Sequence, residues 1–326
     1  HSVNSTTPTV YPRNDKLLPE NILNALLSFF VEKRLRFLKE ISSYFSQLGE
    51  TVSVYIITNT DDLAERKKIE EAIKGKGFVY QIVCPTLLGH PWLLVWSHFA
   101  VFKSHFQDET ITHFLYLEDD ICVKPNNIAY WIKGRESLRA FNLIPSFLRF
   151  EQKDGEDGAY SSDVTQVVNI SSIPRVNISN SYAYLNLPQP YQGMYLLDRD
   201  LMLEHLTGPS SNPESGKKWD IRADAAQGIT FLNVPKGFLS RNLIGYKVLK
   251  NRIDPDCLIH HTPNNYANDP TQIFGKILIS ELISIWKPFI PSRIRDCLKD
   301  WLPPVAIRGI QVLRDALKAT RTTITR

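Results

Sequence analysis

The sequence lacks the cysteine patterns of a zinc ribbon or a disulfide scaffold. Its four cysteines, Cys84, Cys122, Cys257 and Cys297, stand 38, 135 and 40 residues apart and form no CxxC pair. Long apolar runs are also missing near the start, where the longest, LNALLSFFV over residues 23–31, covers nine residues before charged residues follow. A helix of that length is too short to cross a bilayer.

Several motifs of nucleotide-binding and hydrolytic enzymes are absent as well. The chain contains no GxxxxGK[ST] loop, no GxGxxG that opens a helix, no GxSxG and no HExxH. Phosphate-loop nucleotidases, Rossmann dehydrogenases, α/β-hydrolases and zincins are therefore disfavoured. Nucleic-acid binding is disfavoured too, because it needs basic clusters, whereas the charge before residue 276 sums to −2.

The composition is that of a globular protein of 326 residues, with 43% hydrophobic and 22% charged residues. The net charge of +4 is concentrated in residues 276–326, which carry ten Lys and Arg against four Asp and Glu. Two runs in this region, FGKILISELISIWKPFI and VAIRGIQVLRDALKATR, have apolar residues at helical spacing. They predict a basic amphipathic helical tail over 271–326, which either packs on the domain or adsorbs to an anionic membrane surface.

Helices and strands are predicted to alternate along the first half of the chain. Residues 20–48 carry apolar residues at three- and four-residue spacing up to Gly49, which predicts a helical lead-in over 1–50. This order predicts an open, mostly parallel sheet covered by helices. The predicted strands lie at 51–59, 78–84, 113–117 and 145–150, and the helices between them at 62–73, 91–106 and 126–141.

The second half of the chain has a different pattern. After Glu151 the sequence turns to the polar loop KDGEDGAYSSD, and the segments TQVVNI and SYAYLN are typical of short antiparallel strands. We therefore expect a single α/β domain over 51–270 that changes character near residue 150, where a mixed region completes a site begun by the first half.

An acidic cluster ends the third predicted strand. The apolar run FLYL leads directly into Glu118, Asp119 and Asp120. Adjacent carboxylates at the mouth of a buried strand destabilise the fold unless a cation or hydrogen bonds compensate them. Ligands of open α/β sheets bind at the carboxyl ends of the strands, and oxygen ligands suit Mg²⁺ or Mn²⁺ with phosphates in the remaining positions. The alternative is a solvated acidic turn.

This cluster in its context resembles the DXD-type motif of GT-A-fold glycosyltransferases. The stretch HPWLLVWSHFAVFKSHF, followed by FLYLEDDICVKP, has the layout of the nucleotide-binding half of that fold, and the likeness in element order covers about residues 51–265. The resemblance implies a Rossmann-type sheet with a nucleotide-binding half at 51–150 and an acceptor half at 151–270. It also implies that Asp120 is the main metal ligand and that Glu118 or Asp119 reaches the sugar or ribose.

A candidate catalytic base lies downstream, in the segment WDIRADAAQGITF. It places Asp220 and Asp224 on one face of a predicted helix, where one carboxylate could accept the proton of an acceptor hydroxyl. Asp224 is preferred because Ala225, Ala226 and Gly228 are expected to leave room beside it for an acceptor sugar. The alternative is an ordinary helix with two solvated acids.

Two histidines in the segment CLIHHTPNNY are candidate metal ligands. His260 and His261 stand late in the chain, where the resemblance places a third ligand. Side chains alternate along an extended segment, so only one of the two can face a given site. A histidine beside carboxylates favours Mn²⁺ and leaves Mg²⁺ open. The alternative is a structural histidine pair.

Candidate donor-binding residues follow the first predicted strand. Thr58, Asn59, Thr60 and Asp62 stand where the GT-A fold contacts the base and ribose, although helix capping explains them equally well. Lys103, on the helix before the acidic cluster, could neutralise a phosphate.

Together these features predict a metal-dependent glycosyltransferase that moves a sugar from a UDP- or GDP-linked donor to a glycan or lipid-linked acceptor. Transfer inverts the anomeric centre if Asp224 is the base. The alternatives are a sugar nucleotidyltransferase, disfavoured because TNTDDLAERKK lacks glycines, and a non-catalytic carbohydrate-binding module. The basic tail favours a cytoplasmic enzyme of polysaccharide synthesis at the membrane surface over a luminal one.

Overall fold

The computed structural model describes residues 2–4, 18–86, 89–215 and 219–285. Within these ranges the chain is an α/β protein, and the described residues up to Ser284 form one compact unit. Its strands are β1 (Ser2–Asn4), β2 (Asn21–Leu27), β3 (Thr51–Ile57), β4 (Val79–Val83), β5 (His113–Glu118), β6 (Ile121–Cys122), β7 (Ile144–Pro145), β8 (Leu148–Gln152), β9 (Ala159–Ser161), β10 (Val168–Asn169), β11 (Arg175–Asn177), β12 (Tyr182–Leu185), β13 (Met194–Asp198), β14 (Asn242–Lys247), β15 (Arg252–Ile253), β16 (Leu258–His261) and β17 (Ile283–Ser284). Its α-helices are α1 (Leu35–Ile41), α2 (Leu63–Ile73), α3 (His98–His105), α4 (Pro125–Leu138), α5 (Arg199–Thr207), α6 (Ile221–Ala225) and α7 (Asn265–Asn268).

A five-stranded sheet organises the fold, in the order β13-β5-β2-β3-β4. β2 pairs in parallel with β3 and β5, and β3 pairs in parallel with β4, whereas β13 is antiparallel to β5. The four parallel strands therefore end at the same edge of the sheet, at Leu27, Ile57, Val83 and Glu118.

Most predicted elements between residues 51 and 141 are confirmed. The predicted strands at 51–59, 78–84 and 113–117 correspond to β3, β4 and β5, and the run Phe114–Leu117 is fully buried, as expected for a strand covered on both faces. The helix predicted over 62–73 is α2, whose N-cap Asp62 accepts hydrogen bonds from two backbone N–H groups. The helix predicted over 91–106 is a 3₁₀ helix over Pro91–Ser97 followed by α3.

The helix predicted over residues 20–48 is wrong in its first part. Asn21–Leu27 forms β2, the middle strand of the central sheet, and six of its seven residues are buried. Leucine and alanine at helical spacing also suit a strand that is buried on both faces, because most positions of such a strand are apolar; in β2 the buried polar exception is Asn24. Helix starts only at α1, and a 3₁₀ segment follows over Ser42–Gln47. The predicted boundary at residue 50 therefore separates strands of one sheet.

A second sheet has the strand order β6-β16-β8-β9, and its first strand, β6, begins three residues after the end of β5. β16 is antiparallel to β6, with His261 opposite Ile121, and parallel to β8, with His260 opposite Phe150. This pairing brings a late segment of the chain to the residues that directly follow β5.

The remaining strands form a mixed region, as expected for the second half. β12, predicted from SYAYLN, is antiparallel to β11 and β14. The prediction for TQVVNI is wrong in orientation, because its strand β10 pairs in parallel with β17.

The predicted tail over 271–326 is only partly within the described residues. In residues 271–285 the chain forms a 3₁₀ turn over Ile279–Glu281 and then β17, and the side chain of Leu282 is fully buried. This part packs into the body of the protein and is not an amphipathic helix, while residues 286–326 lie outside the described ranges. None of the helices in the described part of the chain is long and apolar enough to cross a membrane.

Candidate functional site

An open cleft of about 780 Å³ lies at the carboxyl edge of the parallel strands, a volume within the usual range for ligand sites. Three acids, Glu118, Asp119 and Asp120, line it together with His261, which comes from the second sheet. Aromatic residues line other parts of the cleft: Phe29, Trp92, Tyr191, Trp219, Tyr266 and Phe274. The cleft thus combines a charged cluster with flat apolar surfaces.

Hydrogen bonds hold the first two acids of the cluster, of which Glu118 is half-buried and Asp119 is buried. Tyr191 donates its hydroxyl to Oε1 of Glu118 at 3.2 Å. Burial, reinforced by the charge of Asp120, raises the pKa of Glu118 to about 7. Asp119 accepts a hydrogen bond from Oγ of Ser28 at 3.0 Å and pairs with Arg34. Burial raises the pKa of Asp119 to about 6 in spite of that guanidinium.

The third acid, Asp120, has the lowest pKa of the cluster. Its Oδ2 lies 2.9 Å from Nη2 of Arg34 and 3.7 Å from Nε2 of His261. Burial alone would raise the pKa of Asp120, but the charges of His261 and Arg34 outweigh it and hold the pKa well below its usual range. Its other oxygen, Oδ1, is buried and accepts no hydrogen bond from any residue that the structure describes.

His261 is held between two carboxylates. Its Nδ1 lies 2.5 Å from Oε1 of Glu151, which is fully buried on β8, and its Nε2 faces Asp120. Burial lowers the pKa of His261, but contacts with Asp120 and Glu151 outweigh it, so that the pKa is raised. Glu151 was not among the predicted site residues.

The neighbouring histidine does not face the cluster. Nε2 of His260 lies 2.9 Å from Oδ1 of Asn264, and its ring stacks on Phe150 with 5.0 Å between the ring centroids. Side-chain alternation along β16 therefore directs His261, and not His260, into the cleft. His260 is accordingly removed from the predicted ligand set.

A buried arginine, Arg149, also lines the cleft. Arg149 makes a two-pronged ion pair with Asp163, at 2.9 Å from Nε and 2.6 Å from Nη2, and its guanidinium covers the ring of Tyr191 at 4.6 Å. All three residues line the cleft. The sequence signal for Arg149 was a charged residue inside the predicted strand PSFLRF, where an apolar residue is the norm.

The donor set fits a divalent cation that is completed by a ligand's own oxygens. Within the described ranges, no group of three or more His, Cys, Asp or Glu side chains could hold a metal ion by itself. Asp120 and His261 nevertheless offer a carboxylate and an imidazole that face each other, and Oδ1 of Asp120 is buried without a partner. One or two protein ligands plus phosphates and water is the usual environment of Mg²⁺. The residues therefore fit such a site and do not form an all-protein cage.

Of the two candidate bases, Asp220 lines the cleft and Asp224 does not. Asp220 lines the cleft and is exposed at the start of α6, where its Oδ1 accepts hydrogen bonds from the backbone N–H groups of Arg222 and Ala223. Asp224 is buried, accepts a hydrogen bond from the backbone N–H of Trp219 at 3.0 Å, and is not among the described residues that line the cleft.

The small residues that favoured Asp224 serve packing. Ala225 and Ala226 are buried, and Gly228 has a φ of +52° in the left-handed region. A Cβ at Gly228 would lie 3.0 Å from Cδ1 of Tyr195. The space beside Asp224 is therefore filled by the protein, which is why the prediction that an acceptor sugar fits there is wrong.

The predicted donor residues lie outside the cleft, and three of them make contacts between the end of β3 and the start of α2. Of the described residues that line the cleft, none is Thr58, Asn59, Thr60, Asp62 or Lys103. Asn59 accepts a hydrogen bond from the backbone N–H of Phe30 at 2.6 Å, the hydroxyl of Thr60 pairs with Glu65, and Asp62 caps α2. Lys103 is exposed on α3. The residues after β3 lie away from the acidic cluster because β2, and not β3, is next to β5 in the sheet.

The end of β2 and the segment that follows it contribute lining residues that the sequence did not indicate. Leu27, Phe29 and Arg34 all line the cleft. They were missed because residues 20–48 were interpreted as a helix, so that no strand end was expected there. No protein-family model and no curated protein matches the sequence. What the cleft does must therefore be inferred from its own geometry.

Proposed function

We propose that the protein is a glycosyltransferase that moves a sugar from a UDP- or GDP-linked donor to an acceptor hydroxyl with Mn²⁺ or Mg²⁺. The proposal depends above all on one observation: Asp120 and His261, far apart in the sequence, face each other at 3.7 Å in an open cleft. The mostly parallel central sheet with acids at its carboxyl edge supports it, because this is what the GT-A resemblance implies.

In this proposal Asp120 and His261 hold the cation, which, when bound, stabilises the negative charge on the leaving diphosphate. Arg34 lines the same part of the cleft, and its guanidinium can pair with phosphate oxygens as it does with carboxylates. Glu118 and Asp119 shape the pocket beside them, where hydroxyl groups of the donor would find hydrogen-bond partners.

The acceptor would lie against the aromatic wall. Trp92 is 52% exposed and Trp219 packs edge-on against Tyr191 at 5.2 Å, so flat faces are available for a pyranose ring. Asp220 lines the cleft beside Trp219 and is the candidate to accept the proton of the acceptor hydroxyl, which an inverting transfer requires. A retaining transfer would proceed without it.

Titration calorimetry with UDP and GDP, each with and without Mn²⁺, tests the proposal, followed by a screen of nucleotide sugars for slow hydrolysis. We expect binding of one nucleoside diphosphate that requires Mn²⁺. Asp120→Ala should abolish metal-dependent transfer and weaken this binding by about 100-fold or more, since even outer contacts of metal ligands are worth about 10- to 100-fold. Asp154→Ala, in an exposed loop, is the matched control.

Other outcomes would assign a different function. Full activity of a folded Asp120→Ala variant, or nucleotide binding that is indifferent to Mn²⁺, refutes the proposal. Release of pyrophosphate from a nucleoside triphosphate and a sugar phosphate would identify a sugar nucleotidyltransferase. Binding of free glycans without any donor turnover would identify a carbohydrate-binding module.

A further inference from the structure

We infer that Glu151 is a positioning residue of the cleft, whose carboxylate fixes the imidazole of His261 with Nε2 directed at Asp120. The inference rests on the proposed function, because a ligand at Asp120 is what makes this orientation useful. In the proposed function Glu151 touches neither the donor nor the acceptor. It acts through His261.

Glu151 is held in a single orientation from both ends of its carboxylate. It is fully buried on β8, its Oε1 lies 2.5 Å from Nδ1 of His261, and its Oε2 accepts a hydrogen bond from the backbone N–H of Ala267 at 2.6 Å. A buried carboxylate is costly unless such partners compensate it. Because both oxygens are engaged, the carboxylate cannot turn without losing one of the two contacts.

The contact with Glu151 decides which ring nitrogen of His261 is directed at the cleft. A carboxylate only accepts hydrogen bonds, so Nδ1 carries a proton and Nε2 points at Oδ2 of Asp120, 3.7 Å away. A histidine that binds a metal through one nitrogen usually donates the other N–H to a carboxylate or carbonyl, which fixes the ring and raises its basicity. Glu151 and His261 supply the first two groups of that order, and Nε2 of His261 faces Asp120, the other candidate ligand.

The same carboxylate also organises the loop that packs on the imidazole. The ring of Tyr266 stacks on His261 with 5.2 Å between centroids and 26° between planes, and Tyr266 lines the cleft. Its neighbour Ala267 is the residue whose N–H binds Glu151. Glu151 therefore fixes His261 in two ways. It contacts Nδ1 directly, and it holds the short helix α7, whose Tyr266 stacks on the imidazole ring.

The test is the Mn²⁺ affinity of Glu151→Gln, measured by electron paramagnetic resonance with whichever of UDP and GDP the wild type binds. Glutamine keeps the shape but has one acceptor oxygen, so it cannot accept both N–H groups. We expect Mn²⁺ to bind about 10- to 100-fold more weakly, the range for outer contacts of metal ligands. His260→Asn, on the same strand but directed away from the cleft, should leave the affinity unchanged.

The outcomes separate this inference from the proposed function. If the wild type binds Mn²⁺ with nucleotide and folded Glu151→Gln binds it equally well, Glu151 is merely structural and the inference is wrong, while the proposed function stands. If the wild type shows no Mn²⁺-linked nucleotide binding, both are wrong.

A measurement on the wild type covers the case in which Glu151→Gln does not fold. In protein labelled with ¹⁵N-histidine, with His261→Asn used to assign the signal, Nδ1 of His261 should be protonated. Adding Zn²⁺ as a diamagnetic probe together with the nucleotide should change the Nε2 resonance. A response at Nδ1 instead, or no response at either nitrogen, contradicts the inference.

Discussion

Arg34 and Asp120 form an ion pair of 2.9 Å at the carboxyl edge of the central sheet, and the same guanidinium nitrogen also pairs with Asp119. One cation thus compensates two buried acids that directly follow β5. Adjacent buried carboxylates need a positive charge nearby, and in the proposed function a divalent cation shares this role. The segment after β2 and the acidic cluster are therefore coupled electrostatically.

We expect Arg34→Met to destabilise the free protein and to increase its response to Mn²⁺. Removing one partner of a fully buried ion pair costs about 3–5 kcal/mol, and the exposed third of the Arg34 side chain reduces this to about 1–3 kcal/mol. Urea unfolding gives the loss, and thermal unfolding with and without Mn²⁺ gives the response. Arg36→Met, an exposed change two residues further along the chain in α1, is the control. Equal stability and an equal Mn²⁺ shift in Arg34→Met and wild type would contradict the coupling.

Gly193→Ala should disturb the acidic cluster through a direct contact. Gly193 has a φ of +62°, and a Cβ there would lie 3.2 Å from Oε2 of Glu118 and 3.1 Å from Cγ1 of Ile121. Such crowding costs about 1–3 kcal/mol beyond the backbone strain. Gly75→Ala has the same strain, at a φ of +73°, but meets no atom within 4 Å. The difference in unfolding free energy between the two variants isolates the contact, and equal losses would show that it is absent.

The element types along residues 51–141 were predictable because they depend on local pattern. β5 is a largely apolar strand that leads into three acids, and this pattern is typical of a buried strand that ends at the edge of a sheet. β2 was not predictable in the same way, since the apolar residues of Asn21–Leu27 continue into the helical spacing of the residues that follow. Only its parallel pairing with β3 and β5 fixes the strand, and pairing is a long-range property.

In the candidate site, too, some residues can be recognised from the local sequence and others only from the long-range contacts of the fold. The proximity of the acidic cluster to one histidine of the pair was predictable because both are visible in the sequence, whereas only the pairing of β16 shows that the histidine in the cleft is His261. Glu151 was not predictable, because a glutamate in a strand gives no sign that its partner is a histidine late in the chain. The order of Asp220 and Asp224 depended on whether small residues enclose empty space, which the packing around them decides.

Trp92→Ala should weaken the binding of the acceptor and leave the stability of the fold unchanged. Trp92 is 52% exposed on the cleft wall, with the guanidinium of Arg222 5.4 Å from its ring, so its loss removes a stacking surface without opening the core. Loss of about 1.4 kcal/mol of stacking raises the acceptor KM about 10-fold. Steady-state kinetics with acceptor varied should show this at an unchanged donor KM. Tyr80→Ala, an exposed aromatic of β4 outside the cleft, is the control. An unchanged acceptor KM would remove Trp92 from the acceptor surface.

His98 should make the folded protein sensitive to acid. Its imidazole is fully buried against Tyr116, Tyr195 and Phe102, and burial lowers the pKa of His98 to about 3, although the hydrogen bond to the carbonyl of Val95 opposes this.

In the unfolded chain the same group titrates near pH 6.5. Between these two values the unfolded state binds a proton that the folded state does not, so the stabilisation is complete above about pH 6.5 and is lost as the pH falls towards 3. Each such group contributes at most about 1.4 kcal/mol per pH unit.

Urea unfolding of wild type and His98→Phe at several pH values between 7.5 and 4.5 measures this dependence. Phenylalanine fills the site without a titrating group. The slope of the unfolding free energy against pH should therefore fall by up to about 1.4 kcal/mol per pH unit, which corresponds to one proton. His205, buried nearby with a pKa also well below its usual range because of burial, should keep part of the slope. His90→Gln, an exposed change, is the control. If His98→Phe and wild type lose stability in parallel over this range, the imidazole of His98 is charged inside the fold, and the packing of α3 on β5 must admit a proton.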